Sequence, residues 1–226
     1  MGSITAIVSD FGGVLTSPLL HAFEAFRDRS GVPLEALGSA LAAIHARDGA
    51  NPLFELETGR LSEAAFLRAL EEQLSTQLAR EVDMTGFSER YFEDLAPNQA
   101  LIDYMRELRE RGYRMAICTN NVREWEPLWR AKLPVDEIFD VVVDSAFVGV
   151  RKPDPRIYQL TLQRLGVDAD QALLLDDIEL NCNAARELGL AAVWFRSTEQ
   201  AITEVEATLA DEGPADPVAA ALPPTN

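Results

Sequence analysis

The sequence predicts an α/β protein built on a doubly wound parallel sheet (a Rossmann-like core), with an all-helical segment inserted after the first strand. Short apolar runs of strand length recur at Ile4–Ser9, Arg114–Cys118, Val141–Val143, Ala172–Leu175 and Ala191–Phe195. From the second run onward, consecutive runs are separated by stretches of helical periodicity, the alternation expected of a parallel sheet covered by helices. Between the first run and Asn98, by contrast, a block of about 80 residues reads as helices only, which breaks the alternation.

Several helix ends are legible. Asn98 is a candidate N-cap with Gly112 as a stop, and Asp154-Pro155 supplies a cap followed by proline at the first helical position. Inside the inserted block, Leu34–Arg47 and Ser62–Leu74 carry helical periodicity. The expected division is therefore a core of residues 1–16 and 98–210 with a helical cap of residues 17–97 between its parts. After Glu199–Leu209, residues 211–226 are dominated by Ala, Pro and small or acidic residues without periodicity, and a disordered tail is expected there. No internal repeat is visible.

Composition narrows the function classes. Of the 226 residues 47% are apolar and 25% charged, and no apolar run approaches the roughly 18 residues of a membrane-spanning helix. The segment Met1–Val8 lacks the basic flank and long apolar stretch of a signal peptide, so a soluble, cytoplasmic protein is expected. Asp and Glu outnumber Lys and Arg by 37 to 20, for a net charge of −17, which disfavours broad contact with nucleic acid or anionic membrane. A small molecule is the expected partner. If it is an anion, the site must offset the overall field locally with a metal ion, a lysine or helix N-termini. Cys118 and Cys182 lack metal-ligand spacing and read as reduced core thiols.

In doubly wound sheets ligands bind beyond the carboxyl ends of the strands, so the residues just after each strand carry the search for chemistry. After the first comes Ser9-Asp10-Phe11-Gly12-Gly13-Val14-Leu15-Thr16, a carboxylate followed by two glycines that let backbone amides turn toward a ligand, although a capped turn would look the same. After the second, Cys118-Thr119-Asn120-Asn121 places a hydroxyl and amides before a helix, which suits oxyanions or a plain helix cap. After the third, Lys152 precedes the helix started by Asp154-Pro155; a lone lysine is ordinarily a solvated surface charge. After the fourth, Leu173-Leu174-Leu175 runs into Asp176-Asp177, two like charges whose burial costs energy unless a cation compensates them. Neighbouring strand tips converge, so these groups can share one crevice. Together they suit phosphoryl transfer through Mg²⁺ and an aspartyl-phosphate.

At this point the sequence resembles the haloacid dehalogenase superfamily over roughly Ile4 to Phe195. The resemblance rests on Asp10, Thr119, Lys152 and Asp176-Asp177 in motif order, on Arg151–Tyr158 and Leu175–Gly189, on the helical insertion, and on the cap-like segment Glu57–Glu63. Within the superfamily the chain is similar to bacterial sugar-phosphate phosphatases and to the phosphatase domain of soluble epoxide hydrolases. The resemblance implies a Mg²⁺-dependent phosphatase acting on a small phosphorylated metabolite, as a monomer or homodimer. It implies Asp10 as nucleophile, Mg²⁺ held by Asp10, the Gly12 carbonyl and Asp177, and Lys152 stabilising nucleophile and phosphate. Gly13, Thr119 and the Asn120 amide would hold phosphate oxygens, Asp176 would orient Lys152, and Asn181 would tune the metal site by hydrogen bonding.

The departure is Gly12, where phosphatases of the superfamily carry a second aspartate as general acid and base. A 2-haloacid dehalogenase uses the same aspartate to displace halide and needs no such acid, but generally lacks one of the paired acids kept here at Asp176 and Asp177. A catalytically impaired phosphate- or partner-binding protein is a third reading. Candidates for substrate contact in the remainder are weak: His21, His45 and Arg123 have surface alternatives. Phe23, Phe26, Phe54 and Phe66 read as helical core, and Trp125 with Trp129 as one helix face packed on the sheet.

Overall fold

The structure is a computed structural model and describes residues 3–211. Strands Ala6–Ser9 (β1), Arg114–Thr119 (β2), Val141–Asp144 (β3), Ala172–Asp176 (β4) and Ala191–Trp194 (β5) form one sheet in the order β3-β2-β1-β4-β5, all parallel. The five expected apolar runs are the five strands. The chain winds outward from β1 through β2 to β3 and then crosses back to β4, so the order reverses between β1 and β4. In register, Ser9 stands beside Ile117 on one side and Leu175 on the other.

The two-residue period of the strands sorts their side chains into two cores, one on each face of the sheet. Ile7, Met115, Ile117, Leu173, Leu175 and Val193 join the larger core. Helices Gln99–Glu110 (α6) and Thr198–Asp211 (α12) close it with Leu101, Ile102, Met105, Leu108, Ala201, Val205 and Leu209. Ala6, Val8, Ala116, Cys118, Val143 and Leu174 face the other way. There Pro155–Leu165 (α10) and Glu179–Glu187 (α11) cover them with Ile157, Tyr158, Leu162, Leu165 and Ala185. Asp154 caps α10 by accepting from the Arg156 amide, with Pro155 at the first turn as the sequence indicated.

Leu19–Ser30 (α1), Leu34–Asp48 (α2), Pro52–Glu57 (α3), Glu63–Leu78 (α4) and Phe87–Glu93 (α5) lie between β1 and α6. Their buried faces, among them Phe26, Ile44, Leu56, Phe66, Leu70, Leu74 and Tyr91, are continuous with the larger core. The chain enters and leaves this block side by side. Thr16 pairs with Pro97, the Ser17 amide donates to the Ala96 carbonyl at 2.7 Å, and the Asn98 amide to the Leu15 carbonyl at 2.9 Å.

Several expectations differ from the structure. Phe54 is 42% exposed and lies under the Arg151 guanidinium, 4.0 Å from its ring centroid, rather than in the core. Trp125 and Trp129 do not share one helix face. A 3₁₀ turn, Arg123–Trp125, precedes the short helix Glu126–Arg130 (α7), and its different residue repeat turns the two indoles apart. Trp129 is fully buried against Phe11, whereas Trp125 packs on Phe87, Tyr91 and Phe92 of the helical block. The same short elements correct the expectation that Thr119-Asn120-Asn121 opens directly into a helix. Two further short helices, Val135–Ile138 (α8) and Ser145–Val148 (α9), flank β3. Asp211 ends α12, and the rest of the tail expected over 211–226 lies outside the described residues. Among the described residues no helix is long and apolar enough to cross a membrane.

Asn98 holds three pieces of this architecture together. Its side chain caps α6 at the Leu101 amide, and its amide group donates to the Val14 carbonyl and the Thr198 hydroxyl, both at 2.9 Å. Asn98→Ala removes the cap and leaves the Val14 carbonyl without its donor. It should therefore destabilise the protein by about 2 kcal/mol in denaturant unfolding; an unchanged midpoint would show that these bonds contribute nothing net.

Candidate active site

The candidate site begins where β1 ends. The Asp10 amide donates to the Leu175 carbonyl at 2.8 Å, extending the β1–β4 ladder by one residue and fixing Asp10 at the point where strand order reverses. Its Oδ1 accepts from the Phe11 amide at 2.7 Å and lies 2.9 Å from Lys152 Nζ. Oδ2 accepts no hydrogen bond from the described residues. One oxygen is thus immobilised and the other left for the crevice.

Lys152, which alone would read as a surface charge, is 1% exposed. Its backbone is clamped by the Asn120 side chain, whose Oδ1 accepts from the Lys152 amide at 2.7 Å and whose Nδ2 donates to the Lys152 carbonyl at 3.0 Å. The ammonium lies between Asp10 Oδ1 and Asp176 Oδ2, 2.6 Å from the latter. Asp176, the last residue of β4, is fully buried. Its carboxylate also accepts from the Ile178 amide at 2.9 Å and from Asn181 Nδ2 at 3.0 Å. Asn181 therefore acts on the site through Asp176.

Asp177 is half-buried beside this pair, with its carbonyl held by Trp194 Nε1 at 2.9 Å. A Cβ built on Gly13 would overlap Asp177 Oδ2, and Gly13 has φ +77°, so both space and backbone require glycine there. The Gly13 amide donates to Thr16 Oγ1 at 3.1 Å. The amide expected to meet a phosphate oxygen is thus engaged within the loop, and Gly13 has in addition a steric role. Gly12 differs: its backbone lies outside the left-handed region, and the nearest atoms to a Cβ there belong to the Leu19 side chain, at 3.2 Å.

Asp10, Asp176 and Asp177 offer carboxylate oxygens within 4.8 Å of one another. Burial, with repulsion from Asp176 and Asp177 outweighing part of the attraction of Lys152, raises Asp10 to about 7. Burial and Asp176 raise Asp177 to about 6. Burial alone would push Lys152 down, but Asp10 and Asp176 prevail and keep it protonated. When all three are ionised, the carboxylates exceed the one ammonium by two negative charges. An all-oxygen donor set with that deficit fits a hard divalent cation.

Thr119 ends β2 at 1% exposure, next to Asp144 of β3. His21 and His45 are exposed. Arg123 Nη2 donates to the Ala146 carbonyl at 2.7 Å, and its guanidinium lies over the Phe147 ring. Cys118 and Cys182 are buried and free, and burial pushes their thiols up to about 11 and about 12, as befits inert core residues.

Sequence reasoning missed the Asn120 side-chain clamp and the Trp194 anchor. It also missed a polar contact from the helical block: Glu57 Oε2 meets Arg151 Nε at 2.5 Å, and the Glu57 carbonyl accepts from Ser145 Oγ at 2.5 Å. Of these, only the Glu57 segment carried a signal, as part of the cap-like stretch.

The haloacid dehalogenase-like hydrolase family description matches residues 4–189. Over 210 residues the chain is 29% identical to the acyl-CoA dehydrogenase family member 10 of Mus musculus, covering 92% of this chain and 19% of that protein. Over 201 residues it is 33% identical to a phosphatase of Mycobacterium tuberculosis, covering 84% and 86%. In three curated relatives the match occupies only 19%, 38% and 26% of their length. A family enzyme of Bacteroides thetaiotaomicron, solved in complex with magnesium and inorganic phosphate, shares the fold with TM-score 0.64, 20% identity and coverage of 87% and 96%. So does the L-2-haloacid dehalogenase of Xanthobacter autotrophicus, with TM-score 0.60, 20% identity and coverage of 90% and 83%.

Because Asp10 and Asp177 are both held above the ordinary carboxylate range, the folded protein binds more protons than the unfolded chain between about pH 4 and 7, and these groups lose stability for it as pH rises through that window. In metal-free buffer the thermal midpoint should be higher near pH 5 than near pH 8, and Asp10→Asn should shrink the difference. A midpoint that rises across the window, or an unaltered slope in Asp10→Asn, would contradict this electrostatic account.

Proposed function

The chain belongs to the haloacid dehalogenase-like hydrolases, and we propose that it is a Mg²⁺-dependent phosphatase of small phosphomonoesters, such as sugar phosphates, acting through an aspartyl-phosphate on Asp10. The observation that carries this is the buried Lys152 ammonium between Asp10 and Asp176, with Asp177 beside them. Asp177 favours phosphate chemistry over halide displacement, because a third acid in this place only adds repulsion unless a cation accompanies the substrate. Helices α1–α5 are proposed as the cap over the strand tips, where residues outside the common machinery select the substrate.

Asp10 Oδ2, the oxygen without a hydrogen bond, is positioned as the nucleophile toward phosphorus, while Oδ1 is kept in place by the Phe11 amide and Lys152. Lys152 neutralises charge on Asp10 and on the arriving phosphoryl oxygens. Asp176 and Asn120 are positioning residues, one for the ammonium and the other for its backbone. Thr119 Oγ1 and the Asn120 amide are assigned to phosphoryl oxygens. Asp10, the Gly12 carbonyl and Asp177 would hold Mg²⁺, which when bound supplies the positive charge that the three acids lack and that the phosphate dianion requires.

A phosphomonoester screen with and without Mg²⁺ tests the reading. Wild type should release phosphate only with the metal, and Asp10→Asn should lose at least about a thousandfold in kcat while keeping its fold by circular dichroism. Release of halide from 2-chloropropionate without metal, and no phosphate release, would instead establish a dehalogenase.

Gly12 yields a second test. Its backbone lies outside the left-handed region, and the atoms nearest to an added Cβ belong to the Leu19 side chain. Gly12→Asp combined with Leu19→Ala should raise turnover of alkyl phosphates by roughly tenfold or more, since general acid–base help is typically worth about 10²–10⁴-fold. No increase would mean that protonation of the leaving group does not limit the rate.

A further inference from the structure

Tyr91 on α5 is 5% exposed, and its ring is fixed on four sides. Phe23, Phe92 and Trp125 have ring centroids 5.4 Å away and Phe87 stacks at 5.8 Å. Trp125 is itself held by a 2.7 Å hydrogen bond from Nε1 to Glu63. A tyrosine buried to this degree ordinarily pairs its hydroxyl. That of Tyr91 has no hydrogen-bond partner among the described residues. The charged groups that act on it are the carboxylates of Asp177 and Glu57. Asp177 stands at the tip of β4, and Glu57 reaches Arg151, the neighbour of Lys152. An unpartnered donor thus stands beside the part of the block nearest the β1 tip: Phe23, on which the Tyr91 ring packs, lies one turn along α1 from Leu19, whose side chain is the nearest to Gly12.

We propose that the Tyr91 hydroxyl is the group of the helical block that touches the substrate, donating a hydrogen bond to the ester oxygen of the leaving alcohol. This rests on the phosphatase reading. As Asp10 Oδ2 forms its bond to phosphorus, the bond from phosphorus to the ester oxygen breaks and its electron pair stays on that oxygen. Tyr91 stabilises the resulting charge without giving up its proton, and solvent water supplies the proton that turns the alkoxide into alcohol. Burial first, and then the two carboxylates, push the phenol pKa upward, so the hydroxyl remains a donor at any working pH. The packed rings hold it in place before the substrate arrives, which is what makes a single donor effective.

Tyr91→Phe keeps the ring and removes only the hydroxyl. The test compares it with wild type on p-nitrophenyl phosphate, whose leaving group needs little help, and on β-glycerophosphate and glucose 6-phosphate, whose alkoxides need much. The expected result is a kcat/KM within about twofold of wild type on the aryl ester and a loss of roughly tenfold to hundredfold on the alkyl esters. A merely structural role for Tyr91 would lower all three alike. Equal losses, or no loss on the alkyl esters, would overturn the proposal while leaving the phosphatase reading intact. Absence of phosphate release by wild type on every ester would overturn that reading, and this proposal with it.

Discussion

The site is organised around one buried cation. An ammonium at 1% exposure can be tolerated only if its charge is met, and Lys152 is met by Asp10 and Asp176 within 2.9 Å. Those two acids come from β1 and β4, the strands between which the sheet reverses, so the ion pairs cross the seam of the fold. The Asn120 clamp, reaching from the end of β2, fixes the lysine's backbone independently of its charge. Three strand tips are thereby tied to one residue. Removing Lys152 would leave Asp10 and Asp176 without their shared counter-ion in the interior, which costs far more than the ion pairs contribute while intact.

Around that centre the groups divide by what they are free to do. Asp176 has its oxygens occupied by Lys152, Ile178 and Asn181, whereas Asp10 keeps one oxygen uncommitted and Asp177 is anchored through its carbonyl. The occupied acid stabilises the arrangement, and the two less engaged ones are left to meet a ligand. The helical block closes over the same region. Glu57 joins Arg151 and Ser145, and Gly59 comes so near the Ala146 carbonyl that a Cβ there would overlap it. This close approach brings Glu57, a polar group of the block, beside the segments that follow β3.

Much of this was legible in the sequence because it follows from local rules. The strands declared themselves as short apolar runs, α6 and α10 by Asn98 and Asp154-Pro155, and the acid pair by an abrupt change from Leu175 to Asp176. What was hidden depends on contacts between distant segments. Nothing in the chain near Asn120 says that its side chain, rather than its amide, meets Lys152. Phe54 follows a helical period and yet faces outward, because Arg151 from the core covers its ring. The tryptophans were misjudged because three residues of 3₁₀ geometry shift the phase of everything after them, and periodicity assumes that the repeat is uniform.

The neck of the helical block has a consequence for how the molecule is made. Ser17 and Ala96 lie side by side, so the whole block is a loop closed at its base, and β1 meets its partners only across long stretches of chain: Ser9 beside Ile117, then beside Leu175. During synthesis the central strand is the first to appear and its second neighbour among the last. Until β2 follows, β1 is a short apolar strand with both edges unpaired, and until β4 follows one edge stays open, the form most prone to associate with other chains. The helices that follow it can bury apolar surface among themselves while that wait lasts, since many of their contacts are local. The segment proposed as the cap is thus also, by its position in the chain, what separates the nascent first strand from the partners it has yet to receive.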